Sequence, residues 1–173
     1  MRILIAYASN SGTTEKCAKL LAEALRMPQS ITLVDANKED IPAPDGFDAV
    51  VLGSFVRWAR ISKKIKTYIA AHKDKLSEMN FGVFICCGIS DEFDDYVREQ
   101  LPRALEVSLG VSYFGGELIP ANHSGFDKFI VKTMRREIVE HDFEDGHFKD
   151  SLPSLQPEQI CAYAEQMRAR LYK

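Results

Sequence analysis

No stretch of the 173-residue sequence approaches the roughly 20 consecutive apolar residues that a membrane-spanning helix requires. The chain runs from Met1-Arg2 straight into the short apolar stretch Ile3 to Tyr7, with no small-residue cleavage pattern behind it, so no secretory signal is expected. Neither charge sign is in large excess, since 22 Lys+Arg against 25 Asp+Glu leave a net charge of −3. A nucleic-acid-binding surface normally announces itself as a basic excess, so nucleic acid is not an expected partner. Cysteines are few and none of their spacings is CxxC or a Cys/His zinc pattern: Cys17, Cys86, Cys87 and Cys161 read as reduced thiols in a cytoplasmic protein. His72, His123, His141 and His147 are likewise not spaced as a helical zinc motif, and the acidic stretch from His141 to His147 reads as a solvated loop, so no metal is assigned.

What is present is a chain of ordinary globular composition, with 46% hydrophobic and 27% charged residues, long enough to bury a core in one domain. Its apolar residues alternate between two patterns. Ile3 to Tyr7, Ser30 to Val34, Ala49 to Gly53, Phe81 to Cys86 and Val111 to Leu118 are short apolar runs, as expected of strands covered on both faces; the fifth is interrupted by Gly115-Gly116. Between them, Cys17, Leu20, Leu21, Ala24 and Leu25, then Ile61, Ile65, Tyr68, Ile69 and Leu76, then Phe93, Val97, Leu101 and Leu105 recur at helical spacing. Pro102 predicts a kink or restart in the third of these helices. Two more helical patterns follow, from Phe126 to Ile138 and from Ile160 to Leu171, with Pro157 suited to the first turn of the last. Strand-helix alternation of this kind predicts a doubly wound α/β fold whose ligands sit beyond the carboxyl ends of the strands.

The turn after the first strand therefore carries the chemistry. Ser9-Asn10-Ser11-Gly12-Thr13-Thr14 places Gly12 and four hydroxyls at the start of the first helix, where free backbone N–H groups and the helix dipole attract an anion. The loop lacks the Gly-Lys-Ser/Thr ending of a nucleoside-triphosphate loop, and no GxGxxG fingerprint of a dinucleotide site is present. A phosphate bound without lysine is the expectation, set against plain helix capping by the same hydroxyls.

The segment Tyr7-Ala8-Ser9-Asn10-Ser11-Gly12-Thr13-Thr14-Glu15 resembles the phosphate loop of flavodoxins, in which a Ser/Thr-rich turn holds the phosphate of FMN. Asp48 to Gly53 followed by Ser54-Phe55-Val56-Arg57-Trp58 is similar to the third strand of that family and its flavin-contacting loop, and Cys86-Cys87-Gly88 to the loop after the fourth. Gly53 to Trp58, Gly116-Glu117-Leu118 and Phe126-Asp127-Lys128-Phe129 look more narrowly like the menaquinone-dependent protoporphyrinogen oxidase branch. The resemblance implies a flavodoxin-like five-stranded parallel sheet in the order 2-1-3-4-5, a single domain over residues 1–173 with a C-terminal helical extension from about 123, and non-covalent FMN. It places the phosphate on Ser9, Asn10, Ser11, Gly12, Thr13 and Thr14, and the ring against Ser54, Phe55, Val56, Arg57 and Trp58 and against Cys87, Gly88, Ile89 and Ser90.

The same resemblance implies either an FMN-dependent oxidoreductase, with a small-molecule substrate and a quinone among the acceptors, or a flavodoxin-type shuttle between redox partner proteins. Dedicated shuttles tend to be more acidic than −3, which favours the oxidoreductase. A receiver-like signalling module of the same topology would need acidic residues at the strand ends, whereas the first strand ends in Tyr7-Ala8-Ser9.

Several residues carry a plainer alternative. Trp58, the only tryptophan, is expected to stack on a flavin, the alternative being ordinary packing. Cys86 and Cys87 suggest a redox pair beside the flavin, but core packing on opposite faces of a strand is the stronger reading, and Cys17 and Cys161 fall on apolar helical faces. Asp91-Glu92-Phe93-Asp94-Asp95 reads as acids complementing a helix dipole behind a Ser90 cap. Lys128, Lys132, Arg135 and Arg136 beside an apolar stripe could rest on a membrane surface, but the acids that follow favour a solvated face. His123 is expected on a loop surface, with a proton donor to the flavin pocket as the alternative.

Overall fold

The computed structural model describes residues 1–27, 30–88, 93–122, 124–144 and 153–172. Ile89, Ser90, Asp91, Glu92 and His123 lie outside the described residues, as do Asp145 and His147 and the side chains of Asp95, Phe126, Arg135 and residues 137–144.

Strand β1 (Ile3–Ala8) is buried along its whole length. It pairs in parallel with β2 (Ile31–Asp35) on one side, Tyr7 opposite Asp35, and with β3 (Ala49–Arg57) on the other, Tyr7 opposite Gly53. Beyond β3 lie β5 (Asn80–Cys86) and the short β6 (Val111–Tyr113), both parallel, giving the order β2-β1-β3-β5-β6. Counted as parallel strands this is the expected 2-1-3-4-5. One further strand, β4 (Arg60–Ile61), folds back antiparallel on the end of β3 and lies off that path.

Strand side chains alternate between the two faces, so each apolar run supplies two cores. Ile3, Ile5, Tyr7, Val51, Phe84 and Cys86 pack under α1 (Thr13–Leu25) and α6 (Pro157–Leu171). Leu4, Ala6, Val50, Leu52, Phe81, Val83 and Ile85 pack on the other side with Ile65, Tyr68 and Ile69 of α2 (Lys63–Ala71) and Leu76 of α3 (Lys73–Ser77). Arg168 of α6 donates to the Ala24 carbonyl near the end of α1 at 3.3 Å, fastening the two helices where α1 has spare acceptors.

The structure corrects several boundaries. Ile61 belongs to β4 rather than to a helix, and the predicted second helix is two, broken at His72. The third, α4 (Phe93–Gln100), stops two residues before Pro102, which lacks an N–H and disfavours helix in the residue before it; a turn from Leu105 to the Pro102 carbonyl follows instead of a second helix. The fifth strand ends at Tyr113. Gly115, at φ +83, turns the chain away from β5 into an antiparallel bridge with Leu155. Cys161 is exposed, not on an apolar face: the inward set on α6 is Ile160, Tyr163, Ala164 and Met167, and Cys161 points about 100° away from Ile160.

The helix expected from 126 to 138 is longer, α5 (Gly125–Glu144), and stands between β6 and α6. Among the described residues no helix is long and apolar enough to cross a membrane.

Candidate functional site at the carboxyl edge of the sheet

The crossover from β1 leaves toward β2 and returns to β3, so a crevice opens between the carboxyl ends of β1 and β3. Four connecting segments and one helix border it.

The first segment is the hydroxyl-rich turn. Gly12 adopts φ +91 and caps α1, while Ser9 Oγ accepts from the Gly12 N–H at 3.1 Å, closing the turn from within. Asn37 donates to the Ser9 carbonyl at 2.6 Å and takes its own backbone bond to Asp35 Oδ1 at 3.0 Å, so the loop after β2 braces the turn from behind. Asn10, Ser11, Thr13 and Thr14 line the cleft, whereas Ser9 does not. Both threonines are buried in the first turn of α1, where the backbone N–H groups are unsatisfied by the helix itself.

The second segment is a hairpin. Ser54 to Arg57, expected as a loop, continue β3; Val56 pairs with Ile61 and Arg57 with Arg60, and Trp58-Ala59 form the two-residue turn. Both turn residues have φ near +54, the handedness that Asn-Gly normally supplies. Left-handed backbone strains residues with a Cβ by about 1–2 kcal/mol each, so this hairpin is held by its surroundings. Ser54 is part of that support: fully buried, it accepts the Ser62 N–H at 2.9 Å and donates to the Phe55 carbonyl at 2.9 Å, and it is absent from the cleft wall. Phe55, Val56, Arg57, Trp58 and Ala59 do line the cleft, with Trp58 59% exposed at its rim. Relaxing the turn is testable: Ala59→Gly is expected to raise stability by about 1 kcal/mol, read as a higher denaturant midpoint, and a lower midpoint would refute the strain.

The third segment is Cys86-Cys87-Gly88, where β5 ends. Gly116 packs directly on it, since a Cβ there would lie 2.3 Å from the Cys87 carbonyl oxygen, and Tyr113 donates its hydroxyl to the same oxygen at 3.0 Å. Cys86 is buried in the core beside α1, yet its residue also borders the cleft. Contact with the Cys17 thiol, and then burial, push the Cys86 thiol well up, so it stays protonated and unreactive.

Helix α5 forms the remaining wall. Asp127, Ile130, Val131 and Met134 face the cleft, and Asp127 is bound by Arg57 at 2.6 Å, tying the helix to the hairpin. The apolar stripe expected beside the basic residues of this helix thus lies, at Ile130 and Met134, against the cleft, a placement that helical spacing alone does not convey. Gly116, Glu117 and Leu118 complete the lining. The space enclosed is about 330 Å³, within the roughly 300–1,000 Å³ typical of small-molecule sites. Among the described residues no three His, Cys, Asp or Glu side chains gather as a metal site.

A parallel sheet doubly wound by helices, with a hydroxyl-rich turn and an aromatic rim meeting at its switch point, defines a flavodoxin-like fold. Residues 4–145 match the family described as a flavodoxin domain, and the chain belongs to that family. A short-chain flavodoxin associated with a non-canonical PDU bacterial microcompartment superposes with a TM-score of 0.56, at 14% identity over 99% of both chains. Oxidised flavodoxin 2 from Bacillus cereus gives a TM-score of 0.49, at 18% identity over 98% of this chain and 99% of its own. The rubredoxin oxygen:oxidoreductase of Desulfovibrio gigas gives 0.48, at 18% identity over 99% of this chain and 37% of its own. At such identities the likeness is one of fold. No curated protein sequence matches the chain.

Proposed function

We propose that this protein binds FMN non-covalently in the cleft and acts as a flavin-dependent oxidoreductase on a small molecule. The observation that carries the reading is the continuity of one cleft from the hydroxyl-bearing first turn of α1 to the indole of Trp58. The donor set suits the cofactor. Ser11, Thr13 and Thr14 offer hydroxyls beside the positive end of α1, as a phosphomonoester needs, and Trp58 offers a planar apolar face to a planar ring. Ser9 and Ser54 shape the turn and the hairpin rather than touch the ligand.

Bound FMN supplies the electron and hydride chemistry. The chain contributes position and environment. Val131, with Ile130 and Met134, keeps water from one side of the cleft, and the backbone of Cys87-Gly88 borders the other. No described side chain stands out as an acid or base.

Helix α5 favours an oxidoreductase over a shuttle, because its apolar stripe walls the cleft that a partner protein's redox centre would have to approach. Porphyrinogens with a quinone acceptor are the first substrates to try, on the strength of the Gly53–Trp58, Gly116–Leu118 and 126–129 segments.

Anaerobic reductive titration of the purified protein with FMN tests both levels. Bound flavin reduced in a single two-electron stage supports the oxidoreductase, two resolved one-electron stages support the shuttle, and no flavin binding refutes the proposal. Trp58→Ala is expected to weaken FMN binding roughly tenfold through loss of ring contact, measured by fluorescence quenching; an unchanged dissociation constant would remove Trp58 from the ring site.

A further inference from the structure

Glu117 occupies a position that the proposed phosphate would contest. Its Oε2 accepts from Lys16 Nζ at 2.9 Å and from Thr13 Oγ1 at 3.4 Å, both in the first turns of α1, and its side chain is 20% exposed. Residues 13 and 117 are far apart in sequence, so the backbone must hold this contact. It does so through two glycines. A Cβ on Gly115 would lie 2.1 Å from the Ser154 carbonyl oxygen, and one on Gly116 would lie 2.3 Å from that of Cys87. The chain at 115–116 is thereby wedged between the backbones of 154–156 and 87–88, with the Gly116 N–H donating to Ser154 at 3.2 Å. The wedge delivers the next residue, Glu117, to the start of α1.

We propose that Glu117 is an internal competitor for the anion at the α1 N-terminus and sets how tightly the flavin phosphate is held. This rests on the FMN reading above. A carboxylate here already takes the Thr13 hydroxyl, compensates Lys16 and sits at the positive end of the helix dipole. An arriving phosphate needs the same donors and meets a like charge beside them. Lys16, paired with Glu117 at 2.9 Å, offsets part of that like charge and so limits the competition. The result is a site that holds its cofactor exchangeably rather than permanently.

Glu117→Gln keeps the size and an acceptor oxygen but removes the charge. It is expected to tighten FMN binding roughly three- to tenfold at low ionic strength while leaving riboflavin, which lacks the phosphate, unchanged. Lys16→Met is expected to weaken FMN binding by a similar factor, and the double variant to return near the parent value. Titration of FMN and riboflavin against all four proteins, with melting temperatures to confirm folding, decides it. FMN bound by the parent but with equal or lower affinity in Glu117→Gln, or riboflavin affinity rising in step with FMN, overturns the competitor role alone. Failure of every folded protein to bind FMN overturns the flavin reading, and this inference with it.

Discussion

Replacing Gly53 by Ala is expected to lower the melting temperature by about 6–12 °C. Gly53 sits in the middle of β3, opposite Phe84 on β5. A Cβ there would lie 2.1 Å from Phe84 Cζ and 2.6 Å from both Cε atoms, so the ring lies across the bare backbone. Phe84 has nowhere to retreat: it is fully buried and stacked on Phe114 at 4.6 Å, and Phe114 in turn meets the edge of Tyr163 of α6 at 5.6 Å. Overpacking of a close-packed core typically costs 1–3 kcal/mol, and an immobile aromatic places this site near about 3 kcal/mol. For a chain of this size each kcal/mol is worth about 2–4 °C. Calorimetry of the variant checks this, and a melting temperature within about 2 °C of the parent would contradict the packing. Adding Phe84→Leu should recover part of the loss, since the two positions touch and their effects are not additive. Gly53 opens one of the segments that suggest a particular flavin enzyme, yet packing alone accounts for it.

Gly12 makes the opposite kind of demand. Nothing lies within 4 Å of a Cβ built on it, so a side chain would find room, but its φ of +91 is one that side-chain-bearing residues rarely adopt. The expected series follows from backbone strain and not from collision. Gly12→Asn should be the mildest, because Asn tolerates left-handed backbone; Gly12→Ala should weaken FMN binding roughly tenfold; and Gly12→Val, with its branched Cβ, should lose the flavin on gel filtration. The fold should survive all three, because the turn carries no core residue. A Val variant that keeps FMN would mean that the phosphate is held elsewhere.

The two glycines show what local sequence conveys. A glycine after a strand and before Thr-Thr at a helix start reads as a turn from its neighbours alone. Gly53, within an apolar run, gives no local sign that a ring from a strand about thirty residues away must cross it. The hairpin at Trp58-Ala59 was hidden for a similar reason. Trp and Ala carry none of the turn chemistry that marks a two-residue loop, and their left-handed backbone is imposed by Ser54, by Ser62 and by the Val56–Ile61 pairing. Arg57, placed against the ring by the family resemblance, meets Asp127 only because α5 walls the cleft.

The order of the sheet came from the family resemblance; by itself the sequence determined the strand-helix alternation and the hydroxyl-rich turn. These depend on short-range patterns: apolar runs long enough to be covered on both faces, helical spacings of three and four, and a capping cluster next to a strand end. Tertiary structure alone decided that α5 walls the cleft, that Glu117 reaches Thr13 and Lys16, and that Cys161 faces outward while Cys17 meets Cys86. Those outcomes turn on which faces meet after the chain has closed loops of tens of residues, and no local periodicity encodes that choice.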